Sequence, residues 1–222
     1  MKLELLSLGK MAYDAAYQLQ VRLLEARMAE PDLHPDRLLL VEHNPVYTLG
    51  KYASEGDILF TVDEREAEGI DLVKTDRGGQ ATYHGPGQIT GYPIVRLSSK
   101  KGSGVAWYVN RLEEMLIQTL QHFGLTGSRD AINPGVWIGT NKIAAIGVRV
   151  RRQITMHGFA LNVRAKVSHY AGIVPCGMQA RGVTSMHEHL PDIALDDVRP
   201  ILVRTFCSVF GYDEITESGE VL

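Results

Sequence analysis

"VWIGTNKIAAIGVRVRRQITMHGFALNV", Val136 to Val163, reads as three extended pieces in a row: "VWIG", "KIAAIGVRVRR" and "ITMHGFALNV". Pieces joined by so few residues must fold back on one another as antiparallel neighbours. The spacing assigns the first turn to Asn141, in "GTNK". Outward from this block the pattern changes period. "VAWYVNRLEEMLIQTLQHFG" before it is a long helix ending at Gly124, and a last helix runs from about Leu195 to Phe210. Near the start, "LELLSLG" is a short strand. "MAYDAAYQLQVRLLEARM" follows with Ala16, Leu19, Leu23, Leu24 and Met28 at helical spacing. "RLLLVEH" and "VYTLGK" are strands separated by Asn44-Pro45, "VDEREAEG" is a short helix closed by Gly69, and "IDLVKTDR" is another strand. "RGGQATYHGPGQITGYPIVRL" is loop-like at first and strand-like from Gln88. Long helices among short, mostly antiparallel strands predict an α+β fold: a mixed, largely antiparallel sheet packed with helices.

Bulk composition narrows the function. A chain of 222 residues, 45% hydrophobic and 22% charged, suits one α/β-sized domain over residues 1–222 with a real core. No repeat, low-complexity tract or linker divides it. A net charge of −3 argues against a dedicated nucleic-acid binder. There is no apolar leader core and no apolar run of membrane length, which reads as a cytoplasmic protein with no membrane partner. Two cysteines make no disulfide framework, and their settings differ. Cys207 shares an apolar helical stripe with Val203 and Phe210, so it reads as a core residue. Cys176, in "AGIVPCGM", sits between a proline that blocks helix and a glycine that permits a sharp turn. It is the candidate nucleophile.

Four further features each carry two readings. "RGGQATYHGPGQ", Arg77 to Gln88, packs four glycines into twelve residues. It is either a structural loop with difficult turns or a ligand wall, and Tyr83 and His84 among the glycines favour the wall. It is neither a P-loop nor a GxGxxG. Lys142 at a strand start is either a solvated charge or the partner of a thiol whose ionisation it favours. Spacing alone does not bring it to Cys176. Histidines 187 and 189, two apart on an extended segment, would share a face, but no third ligand joins them and no metal site is expected. His84 and His157 are candidates for binding or proton transfer beside the plainer reading of structural histidines. Arg149, Arg151 and Arg152 are either a solvated edge or a docking patch for an acidic partner.

"EHNPVYTLG", "RGGQATYHGPGQ", "KIAAIG", "HGFALNV" and "PCG", in this order from about Leu38 to Gly182, resemble the octanoyltransferases, which carry an octanoyl group from acyl carrier protein to a lysine of a lipoyl domain. Asn44 stands where that family commonly has proline. The resemblance implies the fold shared by biotin and lipoate protein ligases and a cysteine acyl-thioester intermediate. It places the acyl-carrying cysteine on Cys176 and the lysine that lowers its pKa on Lys142. The substrate loop falls on Arg77, Gly78, Gly79, Gln80, Ala81, Thr82, Tyr83 and His84. The acyl-site backbone falls on Ala145, Ile146 and Gly147, and on Gly158, Phe159 and Ala160. The donor it implies is octanoyl-acyl carrier protein. The acceptors are lipoyl domains of 2-oxoacid dehydrogenases and the glycine cleavage H protein. No cofactor is implied, because a thioester arrives already activated.

The chemistry of the residues agrees: one thioester replaces another, and the lysine amide formed last is the stable product. Backbone N–H groups near Gly78-Gly79 or Ala145-Gly147 are the candidate oxyanion donors. Two rivals remain at this point: an ATP-dependent lipoate or biotin ligase, which has no use for a nucleophilic thiol, and an acyl-binding module without catalysis.

Overall fold

The computed structural model describes residues 1–97, 104–174 and 182–218. In chain order the elements are β1 (Lys2–Met11), α1 (Tyr13–Ala29), β2 (Asp36–His43), β3 (Val46–Leu49), α2 (Val62–Ala67), β4 (Asp71–Lys74), β5 (Ala81–His84) and β6 (Gln88–Ile94). Then come α3 (Val105–His122), β7 (Ser128–Arg129), β8 (Gly135–Ile138), β9 (Asn141–Arg151), β10 (Ile154–Asn162), α4 (Met186–His189), α5 (Leu195–Phe210) and β11 (Glu214–Glu217). Eight strands form one sheet in the order β11-β1-β2-β6-β10-β9-β8-β7. β1 pairs in parallel with β2 and β11, and the other pairings are antiparallel.

The main sheet is covered on both faces, which is why β2 reads as an unbroken apolar run. Leu38 and Leu40 pack toward α3 and α5, against Leu112, Met115 and Leu202. Their neighbours Leu39 and Val41 join Ala16, Leu19, Leu23 and Leu24 of α1 on the other side. Burial of this many branched side chains, at about 25 cal/mol per Å² of apolar surface, is the main force holding the layers together.

The α+β fold with a mixed, largely antiparallel main sheet is as expected, and beside it β4, β3 and β5 make a second, three-stranded sheet with its own core of Tyr47, Leu49, Ala81, Tyr83, Tyr170 and Ile173. Three finer expectations are corrected. "ATYH" is not loop but β5, paired antiparallel with β3. The β8–β9 turn is made by Gly139, at φ +57°, with Thr140; Asn141 is already paired with Ile138. His187 and His189 lie in the helical turn α4 and not on a strand, since the backbone there closes Leu190 N–H onto Met186 C=O.

Candidate active site

A narrow cleft opens where the two sheets meet. One wall is the β9–β10 ladder, in which Gly147 faces Gly158 and Ala145 faces Ala160. Ile146 and Phe159 line it as well. The opposite wall is β5, whose pleat sends alternate side chains to alternate faces. Thr82 and His84 face the cleft, while Ala81 and Tyr83 point into the small sheet's core.

The loop before β5 closes one end of the cleft. Arg77 is buried, and its Nη2 donates to the carbonyls of Thr48 and Gln80, each at 2.7 Å. Gly79 adopts φ +91° and lines the cleft beside the guanidinium. Gly78 N–H donates to Val148 C=O at 3.0 Å, fastening the loop to β9. That bond uses the Gly78 donor, so Gly78 is corrected as an oxyanion candidate. Gly147 is needed for the same docking: a Cβ there would stand 2.9 Å from the Gly78 carbonyl oxygen.

His84 has a fixed protonation state. Gln88 Nε2 donates to the Tyr83 carbonyl and to Asn162 Oδ1, each at 3.0 Å, so Gln88 Oε1 is the atom facing His84 Nδ1 at 3.0 Å. Nδ1 must then carry the proton. Burial, with His43 and Arg77 nearby, holds the imidazole pKa well below its ordinary value. His84 thus keeps an unprotonated Nε2. His157, at φ +56°, donates through Nε2 to Asp76 Oδ1 at 2.8 Å, and its backbone N–H donates to Gln20 at 2.8 Å. Burial lowers its pKa, against the pull of Asp76. Burial alone would raise the Asp76 carboxyl, but His157 and Arg149 outweigh it and hold the group below its ordinary range. Arg149 is thereby tied to Asp76, while Arg151 and Arg152 remain exposed.

Lys142 is not a solvated charge: it is 5% exposed. Its Nζ donates to the Pro134 carbonyl at 3.2 Å and lies 4.9 Å from the Trp137 ring centre. It stands three residues before the Ala145 wall on the same strand, outside the cleft lining itself. Its backbone pairs with the segment that follows the expected nucleophile, through Lys142 N–H to Gly182 C=O and Thr184 N–H to Lys142 C=O, both 3.0 Å. Cys176 lies outside the described residues. Cys207 is buried in the main core, and burial pushes its thiol pKa up. Among the described residues no three His, Cys, Asp or Glu side chains are grouped as metal ligands, and no helix is long and apolar enough to cross a membrane.

Two cleft residues escape the sequence reading, Tyr13 and Tyr92. Tyr13 sits three residues before Ala16, so extending the apolar stripe of α1 back by one turn would have found it. Tyr92 is hidden in a strand buried on every side.

The two-sheet fold with this cleft is that of lipoate-protein ligase catalytic domains. The chain belongs to the lipoyl protein ligase A/B catalytic domain family, whose model matches residues 12–207. It is 46% identical to an octanoyltransferase of Alkaliphilus metalliredigens, over 97% of this chain and 98% of that protein. An octanoyltransferase of Gloeobacter violaceus is 43% identical over 91% of this chain and 88% of that one. Among solved structures, a lipoate-protein ligase A bound with ATP superposes with a TM-score of 0.78, covering 99% of this chain and 89% of that chain at 19% identity. That last likeness is one of fold.

Proposed function

We propose that residues 1–222 act as one catalytic domain, an octanoyltransferase that moves an octanoyl or lipoyl group from acyl carrier protein to a lysine of lipoyl domains. The acceptors are those of 2-oxoacid dehydrogenases and the glycine cleavage H protein. The observation that carries this reading is the 46% identity to an octanoyltransferase along nearly the whole of both chains. A buried Lys142 and a cleft walled by Ala145–Gly147, Gly158–Ala160 and the Arg77–His84 segment support the site residues.

In the first step the Cys176 thiolate attacks the thioester carbonyl, the carrier's thiolate leaves and takes a proton, and the acyl group is held as a new thioester. In the second, the acceptor lysine amine attacks that carbonyl, loses a proton, and the amide forms as Cys176 departs. Lys142 favours both thiolate states through its charge. The β9–β10 side of the cleft, lined by alanine, glycine, Ile146 and Phe159, takes the acyl chain.

Intact-mass analysis after mixing with octanoyl carrier protein tests the scheme. The wild type gains one octanoyl group and loses it on addition of a lipoyl domain, and Cys176→Ser gains nothing. A wild type that stays at its own mass defeats the covalent scheme. Formation of octanoyl-adenylate from ATP and free octanoate would make it a ligase.

A further inference from the structure

Glu113 is a carboxylate in the wrong place for an idle residue. It lies on the inner face of α3, 4% exposed, among Leu112, Met115 and Leu116 of the main core. Burying a carboxylate there costs several kcal/mol, on the order of the loss for any uncompensated ion, unless partners replace its water. Two do. Oε2 lies 3.4 Å from Arg129 Nε, and Oε1 accepts the Gly135 N–H at 3.0 Å.

The second partner connects Glu113 to the site. Gly135 N–H and Pro134 C=O are the two ends of one peptide unit, and that carbonyl receives the Lys142 ammonium at 3.2 Å. A planar peptide fixed at its N–H has little freedom to turn its carbonyl elsewhere. Gly135 permits the arrangement: at φ +135°, a Cβ there would stand 2.5 Å from the Ala144 carbonyl oxygen and 3.3 Å from Lys142 Cε. The peptide therefore lies flat against β9 beside the lysine stem.

We propose that Glu113 is a positioning residue for Lys142, clamping the Pro134–Gly135 peptide so that its carbonyl holds the ammonium in place. Its consequence for turnover rests on Lys142 acting as proposed above; the clamp does not. The tests are Glu113→Ala, which removes the acceptor, and Glu113→Gln, which keeps one for Gly135 N–H, with thermal melts to confirm folding.

The first readout is competitive acetic anhydride labelling of all lysines, followed by peptide mass spectrometry. Lys142 in Glu113→Ala labels several-fold faster relative to the exposed Lys2 and Lys10, and Glu113→Gln returns it to within about twofold of wild type. An unchanged Lys142 rate in the alanine variant, or a glutamine variant no better than alanine, overturns the clamp. The second readout is transfer kinetics. Glu113→Ala lowers kcat about tenfold with KM for octanoyl carrier protein unchanged, and the pH midpoint of Cys176 alkylation moves upward. If labelling responds but Lys142→Ala leaves that midpoint and kcat untouched, the clamp stands and the assigned role of Lys142 falls.

Discussion

Buried imidazoles give the molecule a pH dependence that can be worked out residue by residue. His43 donates from Nδ1 to the Met11 carbonyl at 2.9 Å and accepts from the Tyr92 hydroxyl at Nε2, 2.7 Å away. A protonated His43 would lose that acceptor. Burial, only partly opposed by the Met11 carbonyl, lowers its pKa from 6.5 to about 4. His84 stands beside it, with ring centres 5.7 Å apart, and is lowered in the same direction. In the unfolded chain both take up protons as pH falls through 6.5, while the native state stays neutral. Their stabilisation is therefore complete above that value and is lost as pH falls below it, for His43 down to about 4. Between pH 7 and pH 5, His43 alone removes about 2 kcal/mol, taking ~1.4 kcal/mol per unit of pKa difference. Urea denaturation at the two pH values checks this, with His43→Phe losing that share of the slope. A wild type equally stable at both pH values would mean that these rings are not held neutral.

The β9–β10 hairpin shows what a sequence does and does not reveal about an element. Both strands are legible in Val136–Val163, and so are their small residues at 145, 147, 158 and 160. The turn is not. Ile154 pairs with Arg151, which leaves a two-residue loop of Arg152 and Gln153 at φ +47° and +67°. Turns of this shape favour Asn-Gly, and neither residue here announces one. Each non-glycine residue held left-handed costs about 1 kcal/mol. The double change Arg152→Asn and Gln153→Gly is expected to raise stability by about 1 kcal/mol, read as a higher denaturant midpoint with an unchanged slope; no gain would show that the loop is unstrained. Other elements were obscured for different physical reasons. β5 is four residues long and buried on both faces, so glycines on either side outweigh any alternation. β11 is a short, mostly exposed edge whose pairing with β1 spans nearly the whole chain, and nothing local encodes it. Lys142 was visible only as a lysine at a strand head, because the Pro134 carbonyl and the Trp137 ring that bury it come from the neighbouring strand and loop. Cys176 reads as a candidate nucleophile from its proline and glycine neighbours, and it lies outside the described residues.

At the scale of the whole molecule, the cleft exists because two sheets are held at a fixed separation, with Gln88 of β6 bonded to Tyr83 and His84 of β5 at one place and the Arg77 loop joining β3 to β9 at another. The Arg77 guanidinium donates to Thr48 of β3 through Nη2 and Nε, and its own loop is fastened to β9 by Gly78 N–H to Val148 C=O. The packing leaves no slack: a Cβ on Gly50 would stand 2.4 Å from the Gly79 carbonyl oxygen. Arg77→Ala strips the guanidinium from the buried carbonyl and hydroxyl of Thr48, while the half-buried Gln80 carbonyl keeps the Gly50 N–H, a loss of about 3 kcal/mol at ~1–3 kcal/mol for each stranded group. Arg77→Lys should not recover it, since an ammonium cannot reproduce the planar fork that reaches several acceptors at once. The location of the loss is more telling than its size. The small sheet has its own core and reaches β9 through this loop, so weakening Arg77 should open β3 and β5 without unfolding the β9–β10 ladder. Native-state hydrogen exchange reads this directly: amides of Tyr47, Thr48, Thr82 and Tyr83 exchange about a hundredfold faster in Arg77→Ala, the equivalent of ~3 kcal/mol, while those of Phe159 and Leu161 change little. Uniform acceleration across both sheets would show instead that they unfold as one unit, with the cleft wall as rigid as the core behind it.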